Sequence, residues 1–484
     1  MLVKLQNKWN RLPLGVKVSS AYAVCSILQK CLSFITLPLF TRLLTTEQYG
    51  QLTIYSSWQG IISIFLTLNL AYGSFSTAMV KFEEDRDGYI SSVEGICIFL
   101  TGVFLLVYLP FQNFWNYWFQ LPTSFILLMV VEMLCSTAIL LWSGKKRFEF
   151  KYIGVVSVTL LMSVLSPIVA YFLVIHTEDK GYARIIGFAL VHILVGGAFF
   201  IFNALRGKKI FNKKYWKYAL SFNVPLLAYY LSQIIFNQSD RIMISHMVGT
   251  DKAAVYGVAY TLAMVLTFVL NAINNSYVPW FYGKIKEGKM TENQRVSLGI
   301  AGFLAVILSG IIWFAPEVIK IMAGEKYMEA IYVVPPVAIS LLLLFYAQLF
   351  INVEFFYEEK KSLVWASIGA AAVNLVLNFI FIVKYGFIAA AYTTLVSYIV
   401  FAYCNYLAMK KVLFYRKIAD TAFSYKGIML VFVVFCSVTV IGVLFYQQFL
   451  IRTIVALAVL AGIISKRNLI FDFYRSVRKR EKNS

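Results

Sequence analysis

The sequence contains little charge and very little histidine. Of its 484 residues, 14% are charged, and the three histidines (His176, His192 and His246) fall in separate segments. A soluble domain carries about 25% charged residues. The chain also lacks a G-x-x-x-x-G-K-[ST] phosphate-binding loop and an H-E-x-x-H helix. We therefore expect neither ATP hydrolysis by a P-loop nor catalytic zinc, and we expect no cofactor.

The sequence also lacks any hydrophilic segment that approaches the size of a domain. Membrane glycosyltransferases and polysaccharide polymerases usually carry such a segment to hold a donor sugar, so an enzyme is disfavoured. The six cysteines all lie in apolar stretches, without metal-ligand spacing such as C-x-x-C. We interpret them as small packing residues.

Long apolar stretches dominate what remains, since 60% of the residues are hydrophobic. A membrane-spanning helix needs about 20 mostly apolar residues. Short polar and charged segments divide the chain into fourteen such stretches, at 16–42, 50–80, 90–110, 122–143, 152–175, 183–205, 216–248, 253–281, 294–315, 329–352, 362–383, 386–409, 427–446 and 450–465. The predicted fold class is an all-α polytopic membrane protein with about fourteen transmembrane helices.

The basic residues predict how the protein lies in the membrane. The net charge is +21, and 34 of the 44 Lys and Arg residues fall in alternate loops and at the two termini, whereas 8 fall in the other loops. The remaining two, Lys30 and Arg241, fall well inside predicted helices, away from their ends. By the positive-inside rule, both termini are cytoplasmic. Topology and attraction to anionic lipid explain the basic clusters, and we expect no nucleic-acid partner.

Polar stripes on predicted helices 1 and 7 indicate a wet cavity. Charge at the bilayer centre is costly, so Lys30 needs a cavity or a partner. On its helical face lie Ser19, Tyr22, Ser26 and Ser33. Helix 7 carries Tyr230, Gln233, Asn237 and Arg241 at spacings of three or four. Arg241 could instead extend its long side chain to the outer interface.

Other helices supply further candidates for the cavity. Helix 2 has a stripe of Thr53, Ser56, Gly60, Ser63 and Thr67, and helix 8 has one of Tyr260, Thr267, Asn271 and Asn274. Helix 11 carries Asn374 and Asn378. Glu132 and Asp240 are candidates for ion coupling. For any single polar residue, packing between helices through hydrogen bonds is the alternative.

The chain contains an internal repeat. The segments T-R-L-L-T-T-E-Q-Y-G-Q-L (Thr41–Leu52) and S-H-M-V-G-T-D-K-A-A-V-Y-G-V (Ser245–Val258) both place Tyr-Gly at the opening of a helix. We therefore predict two pseudo-symmetric six-helix lobes, residues 1–210 and 211–415, followed by residues 416–484 with helices 13 and 14 and a basic tail. Parallel repeats of this kind place a substrate site between the two halves.

These segments resemble the polysaccharide or O-antigen flippases of the MOP exporter superfamily. The resemblance rests on L-P-L-F-T-R-L-L-T-T-E-Q-Y-G (Leu37–Gly50), S-D-R-I-M-I-S (Ser239–Ser245), V-Y-G-V-A-Y (Val255–Tyr260) and V-P-W-F-Y (Val278–Tyr282). It implies a MATE-like bundle of two lobes around a cationic cavity, located in the bacterial cytoplasmic (inner) membrane.

The resemblance also implies an activity. A flippase of this family moves an undecaprenyl-diphosphate-linked oligosaccharide repeat unit to the outer leaflet for surface polysaccharide synthesis, alongside polymerase and assembly proteins. Lys30 and Arg241 would bind the diphosphate or acidic sugars. The alternatives are a lipid II flippase and a MATE-like secondary exporter, although an exporter of cationic drugs would favour an acidic or aromatic cavity. An oligosaccharide polymerase is the alternative from a different functional class.

Overall fold

The computed structural model describes residues 13–359 and 361–456, and within these ranges the chain is helical with no β-strand. The α-helices are α1 Leu14–Leu43, α2 Thr46–Thr67, α3 Phe75–Lys81, α4 Arg86–Tyr108, α5 Gln112–Phe119, α6 Thr123–Phe148, α7 Tyr152–His176, α8 Lys180–Gly207, α9 Lys213–Asn223, α10 Leu227–Met247, α11 Thr250–Lys286, α12 Glu292–Trp313, α13 Ala315–Met322, α14 Val334–Phe356, α15 Lys361–Tyr385, α16 Ile388–Tyr415 and α17 Tyr425–Leu444. The 3-10 segments are Glu83–Asp85, Leu109–Phe111, Val224–Leu226 and Glu325–Tyr332. Residues 449–456 are also helical.

The membrane fold predicted from the sequence is confirmed. In the described ranges, twelve helical segments are long and apolar enough to cross a bilayer. The long helix α2 is not among them, because its sequence T-E-Q-Y-G-Q-L-T-I-Y-S-S-W-Q-G carries many polar residues. The fourteenth predicted span, 450–465, extends beyond the described residues, so the total of fourteen and the cytoplasmic position of the termini stay predictions.

Two predicted helices are interrupted. The stretch 50–80 was predicted as one helix, but α2 ends at Thr67 and α3 begins only at Phe75. Leu68 and Asn69 between them have φ values of 45° and 53°, in the left-handed region that ends a helix. The stretch 216–248 is divided by the 3-10 segment Val224–Leu226, where Pro225 removes a backbone donor.

The helices form two groups that pack in the same order. In the first group, α1 packs on α7, and both α6 and α7 pack on α8. In the second group, α10 packs on α15, and both α14 and α15 pack on α16. The short helix α9, which the sequence assigned to the second lobe, packs on α4 of the first group. The lobe boundaries at 210 and 415 stay predictions.

The two groups meet where α2 crosses α10 and α11. At this crossing, a Cβ atom at Gly50 would overlap the Thr250 carbonyl oxygen, and a Cβ at Gly257 would lie 2.9 Å from Thr53 Cγ2. Both positions are the glycine of a Tyr-Gly pair in the internal repeat. The repeat therefore marks two places where α2 and α11 approach closely, and only glycine fits Gly50 without a shift of backbone.

A second contact between the groups lies at the end of α1. The Thr41 hydroxyl donates to the Met322 carbonyl oxygen at 3.1 Å, and Arg42 Nη2 donates to the Ile321 carbonyl oxygen at 3.1 Å. Both acceptors lie at the end of α13. These bonds satisfy carbonyl groups that a helix end leaves without intrahelical partners.

The end of α10 makes a matching contact with the first group. The Ser245 hydroxyl donates to Gln120 Oε1 at 2.5 Å, and His246 Nε2 lies 2.8 Å from the Trp118 carbonyl oxygen, at the end of α5. Ser245 and His246 occupy the repeat positions of Thr41 and Arg42. The α1–α13 and α10–α5 contacts lie at the same end of the bundle as the glycine crossing, so that end is closed.

The last described helices pack on the outside of the second group. Trp313 Nε1 of α12 donates to the Val438 carbonyl oxygen of α17 at 3.1 Å. Arg452 is only 1% exposed and forms a bidentate pair with Glu317 of α13, with N–O distances of 2.6 and 2.9 Å. The planar guanidinium matches a carboxylate in this geometry, so the pair anchors residues 449–456 to the bundle.

The glycine crossing leads to a stability prediction. We expect Gly50→Ala to lower the free energy of unfolding by roughly 1–3 kcal/mol, because the added methyl group overpacks against backbone. The unfolding temperature of the purified protein in detergent measures this loss. The matched control is Gly102→Ala, where a Cβ would meet no atom within 4 Å. An equal change in both variants would contradict the close approach of α2 and α11.

Candidate functional site

A polar cavity lies between the two groups of helices, directly beyond the glycine crossing. Its larger part, the main chamber, has a volume of about 760 Å³ and is lined by residues of α2, α6, α8, α10 and α11. A smaller part, the side chamber, has about 490 Å³ and is lined by α1, α6, α7 and α8. Ser136, Leu140, Phe188 and His192 line both chambers. The two chambers therefore adjoin and share part of their walls.

The polar stripe predicted on the second helix faces the main chamber. Thr53, Ser56, Gly60, Ser63 and Thr67 all belong to its lining. This explains why α2 is less apolar than the other long helices: one of its faces contacts the cavity rather than lipid or protein. The α2 face offers hydroxyl groups along its length and carries no charge.

Arg184 of α8 supplies positive charge near the closed end of the main chamber. Its guanidinium carbon lies 3.2 Å from the centroid of the Phe188 ring and 4.3 Å from that of Phe40. The Nε atom of Arg184 is buried and has no hydrogen-bond partner among the described residues. A buried donor without a partner is costly, and the Arg184 side chain lines the main chamber.

Arg241 of α10 is the second arginine of the main chamber. Its Nη1 donates to Gln238 Oε1 at 2.5 Å and to the Asn237 carbonyl oxygen at 3.3 Å, and its guanidinium carbon lies 4.3 Å from the centroid of the Tyr260 ring. All three partners are neutral. Arg241 therefore keeps its positive charge without a carboxylate partner at ion-pair distance in the described part of the chain.

Glu132 on α6 supplies the one carboxylate among the described residues that line the main chamber. It is 8% exposed and accepts a hydrogen bond from the Tyr55 hydroxyl at 2.8 Å. His192 Nδ1 lies 3.7 Å from its other oxygen and 2.8 Å from the Phe188 carbonyl oxygen. Since a carbonyl oxygen can only accept, Nδ1 carries a hydrogen in this geometry.

The side chamber contains two further basic residues. Lys30 of α1 is exposed, and its Nζ lies 4.3 Å from the centroid of the Phe268 ring on α11. Arg147, near the end of α6, has its guanidinium carbon 5.0 Å from the centroid of the Tyr22 ring. In the ranges described, neither residue has a carboxylate within ion-pair distance. The two chambers together thus have four Lys or Arg side chains and one carboxylate along their described lining.

Three of the predicted site residues, Lys30, Arg241 and Glu132, line these chambers. Asp240 lies next to Arg241 in sequence, but its carboxylate is buried in the second group. It accepts from the Tyr256 hydroxyl at 2.6 Å, from Asn378 Nδ2 at 2.6 Å and from the Thr394 hydroxyl at 2.7 Å. Both oxygens of this carboxylate therefore accept hydrogen bonds within the second group of helices, and Asp240 does not line the cavity.

The remaining predicted site residues line neither chamber. Asn374 is buried with the Asp240 cluster and Gln233 donates to Ser367 on α15 at 2.9 Å. Asn237 donates to the Gln233 carbonyl oxygen and accepts from the Tyr260 hydroxyl. Asn274 accepts from Asn352, Tyr230 is partly buried, and Ser26 and Asn271 are exposed. Their assignment to a binding site stays a prediction.

Sequence reasoning missed several chamber residues. Arg184 lies at the outer end of the predicted helix 183–205, where it reads as one of the basic residues beside the outer loops, and Arg147 reads as one of the basic residues that indicate topology. Arg184, Phe188 and His192 follow one another at intervals of four on α8, and all three line the main chamber. This spacing, with a charge near one end and a histidine at the middle, was the signal that could have identified the α8 face.

The chain matches a known family and a known fold. The family model described as "Polysaccharide biosynthesis protein" matches residues 16–283. "Lsg locus putative protein 1" of Haemophilus influenzae is 23% identical over 366 residues, which cover 71% of this chain and 86% of that protein. An uncharacterized membrane protein of the same organism is 22% identical over 380 residues, with 74% and 88% covered.

Two solved structures show the same arrangement of helices. The lipid II flippase MurJ in an inward closed conformation has a TM-score of 0.72 and 14% identity, over 93% of this chain and 99% of that one. A MATE multidrug-resistance transporter of the MOP superfamily in an inward-facing conformation has a TM-score of 0.60 and 15% identity, over 80% and 95%. The predicted resemblance is confirmed in family and in fold: the chain belongs to the polysaccharide biosynthesis protein family and has the fold of MOP superfamily transporters.

Proposed function

We propose that this protein is a flippase that moves a polyprenyl-diphosphate-linked oligosaccharide from the cytoplasmic to the outer leaflet of the bacterial cytoplasmic membrane. The observation that carries this proposal is the charge of the cavity. Lys30, Arg147, Arg184 and Arg241 line it, with Glu132 as the carboxylate. Uncompensated cations in a cavity of low dielectric constant favour an anionic ligand.

The neutral lining suits the sugar part of such a substrate. Hydroxyl and amide groups of α2 and of the turn after it, including Ser56, Gln59, Ser63 and Asn69, line the main chamber. These groups can exchange hydrogen bonds with sugar hydroxyls. Both volumes, about 760 and 490 Å³, lie within the range of roughly 300–1,000 Å³ that is typical of ligand pockets. The cavity can therefore hold several sugar rings while the lipid tail stays in the bilayer.

The direction of transport follows from the predicted topology. With both termini in the cytoplasm, the end of the bundle closed by the α1–α13 and α10–α5 contacts faces outward. A substrate would enter from the cytoplasmic side and leave after these contacts separate. Alternating access needs two discrete arrangements of the lobes. The few hydrogen bonds at the closed end are weak enough to break during each cycle.

We also propose that Glu132 couples transport to a proton gradient. Glu132 lies in the cavity wall beside His192 and can exchange protons with water in the chamber, whereas Asp240 is enclosed by hydrogen-bond donors. Of the two coupling candidates predicted from the sequence, Glu132 is therefore the one that can respond to protons and substrate together. Asp240 would respond only if the second group of helices opened.

The cavity charge also separates the proposed substrate from a competing one. A MATE-like exporter of cationic compounds would have to bring a cation past Arg184 and Arg241, which repel it. Lipid II carries the same diphosphate as a lipid-linked repeat unit, so charge alone does not distinguish these two substrates. The phenotype of a deletion strain can distinguish them.

We expect Lys30→Ala to abolish complementation of a strain that lacks this protein, because the substrate diphosphate loses its cation at mid-membrane. Surface polysaccharide, detected by gel electrophoresis and staining, is the measurement. Immunoblotting of the membrane fraction checks that the variant is present. The matched control is Lys411→Ala, since Lys411 lies over the Tyr415 ring outside both chambers. Normal surface polysaccharide in the Lys30→Ala strain would refute the assignment.

We expect a deletion strain to grow, to lose surface polysaccharide and to accumulate lipid-linked repeat units on the cytoplasmic leaflet. Mass spectrometry of extracted lipids identifies the accumulated intermediate. Lysis with accumulation of lipid II would identify the substrate as the peptidoglycan precursor instead. Export of single repeat units to the surface would indicate a polymerase.

We expect Glu132→Gln to remove the acceleration of transport by an imposed pH gradient, while slow transport continues. The glutamine oxygen can still accept from Tyr55, so the chamber keeps its shape, but the side chain no longer titrates. Transport of a fluorescent lipid-linked oligosaccharide in proteoliposomes is the measurement.

The companion variant Asp240→Asn should behave differently. It places an amide group among donors and should cost roughly 1–3 kcal/mol of stability. We expect a lower unfolding temperature and a retained response to the pH gradient. If Asp240→Asn loses that response and Glu132→Gln keeps it, the coupling assignment is reversed.

A further inference from the structure

The short helix α13 forms part of the closed end of the bundle. Its last carbonyl oxygens, those of Ile321 and Met322, accept hydrogen bonds from Arg42 and Thr41 at the end of α1. The helix has eight residues, which corresponds to about 12 Å along its axis. The position of this short helix therefore decides whether the contacts with α1 form.

A break in the backbone separates α13 from the long helix α12. Helix α12 ends at Trp313 and α13 begins at Ala315, and Phe314 between them has φ −103° and ψ 15°, outside helical geometry. Pro316, the second residue of α13, has no backbone N–H that could bond back across the break. Helix α12 therefore does not fix the direction of α13 as a continuous helix would.

Arg452 bridges this break. Its side chain is 1% exposed, and its guanidinium group binds both sides of Phe314. On the α12 side it donates to the Trp313 carbonyl oxygen, and on the α13 side it forms the bidentate pair with Glu317. The donors of a guanidinium group lie in one rigid plane, so they fix the relative position of the groups that they bind. Arg452 thus holds α13 at a defined angle to α12.

The 3-10 segment that follows α13 makes a similar pair of contacts. The Tyr446 hydroxyl lies 3.5 Å from the Ile331 carbonyl oxygen, and the ring centroids of Tyr446 and Tyr332 are 6.2 Å apart. At the other end of the same segment, Lys326 Nζ donates to the Leu44 carbonyl oxygen, directly after α1. This segment, like α13, therefore contacts both the end of α1 and the residues that follow α17.

The first group of helices bridges its own break without such help. There, the 3-10 segment Leu109–Phe111 separates α4 from α5, the short helix whose end contacts α10. The Tyr108 hydroxyl of α4 donates to Asn116 of α5 at 2.6 Å, and Asn116 donates to Thr123 of α6 at 2.8 Å. All three residues belong to the first group, whereas Arg452 follows both groups in the sequence. The second half of the closed end therefore uses a residue from outside the repeat.

We propose that Arg452 is a positioning residue for closure: it holds α13 where the end of α1 binds, and it thereby stabilises the closed state of this end of the bundle. The α1–α13 hydrogen bonds have to break when this end opens. Without Arg452, α13 would have to be ordered each time that they form again, and this entropy cost falls on the closed state alone. The role goes beyond the proposed function, because any transported substrate needs this end to open and close.

Labelling of a single cysteine from the two sides of the membrane tests the role of Arg452. The reporter is Ser56→Cys, since Ser56 lines the main chamber, in a protein whose six native cysteines are replaced by alanine. A membrane-impermeant maleimide is added to spheroplasts and, separately, to inverted membrane vesicles. With the predicted topology, the reagent reaches the chamber through the closed end in spheroplasts and through the other end in vesicles.

We expect Arg452→Ala to raise the labelling rate in spheroplasts roughly threefold or more and to lower the rate in inverted vesicles, because the closed outer end becomes less populated and the two ends open alternately. Arg452→Lys keeps the charge but loses the bidentate geometry, so its rates should lie between those of Arg452→Ala and the parent. Glu317→Gln removes the ion pair while Arg452 stays in place. This variant carries the test if the unfolding temperature shows that Arg452→Ala is not folded.

The matched control is Lys410→Ala. The Lys410–Asp420 pair, with an N–O distance of 2.6 Å, joins α16 to the segment before α17. It therefore also fixes the terminal helices to the second group, but at the opposite end of α17 from Tyr446. We expect both labelling rates to stay unchanged in this variant.

Two outcomes would overturn the proposal. One is unchanged labelling from both sides in Arg452→Ala and Glu317→Gln. The other is faster labelling from both sides, which would mean that the pair only keeps the protein rigid and does not favour closure of one end. No lipid-linked substrate is needed in this experiment, so its failure is distinguishable from failure of the proposed function.

Discussion

The close crossing of α2 and α11 is the constraint on which the cavity depends. Gly50 and Gly257 let the two helices approach at the end of the bundle where the α1–α13 and α10–α5 contacts also lie. Close packing through small residues is how helices associate in lipid, where burial of apolar surface provides little driving force. Because α2 is held there, its polar face lies along the main chamber. Closure of one end and the polar lining of the cavity therefore have the same structural origin.

The same helix turn gives Asp240 and Arg241 opposite environments. Adjacent residues on a helix point about 100° apart, so the carboxylate enters the second group of helices while the guanidinium enters the chamber. Three donors satisfy Asp240 inside the protein. Arg241 has only neutral partners and remains available to an anion. The cavity is cationic because the protein keeps its nearby negative charge out of reach, in addition to having many basic residues.

The connection between the two groups is located at a break in the helices. Helix α9 packs on α4 of the first group, and α10 packs on α15 of the second. The 3-10 segment with Pro225 joins them. Asn223, immediately before it, donates to the Ser74 hydroxyl at 2.7 Å, in the loop that interrupts the stretch predicted as the second helix. Two backbone interruptions thus meet at one point, where helices can change direction without breaking helical hydrogen bonds.

The sequence by itself determined the all-helical membrane fold, the family and the α2 stripe, and it identified Lys30 as an isolated charge within a helix, because apolar length and isolated charge are local properties of a chain. It also revealed the repeat, whose glycines mark the crossing. Only the tertiary structure decided which polar residues share a cavity. Asn374 and Asn378 had the expected spacing but pack within the second group, and Arg184, at the outer end of a predicted helix, lines the chamber. Helical periodicity predicts a face, whereas the neighbour that the face meets depends on how distant segments pack.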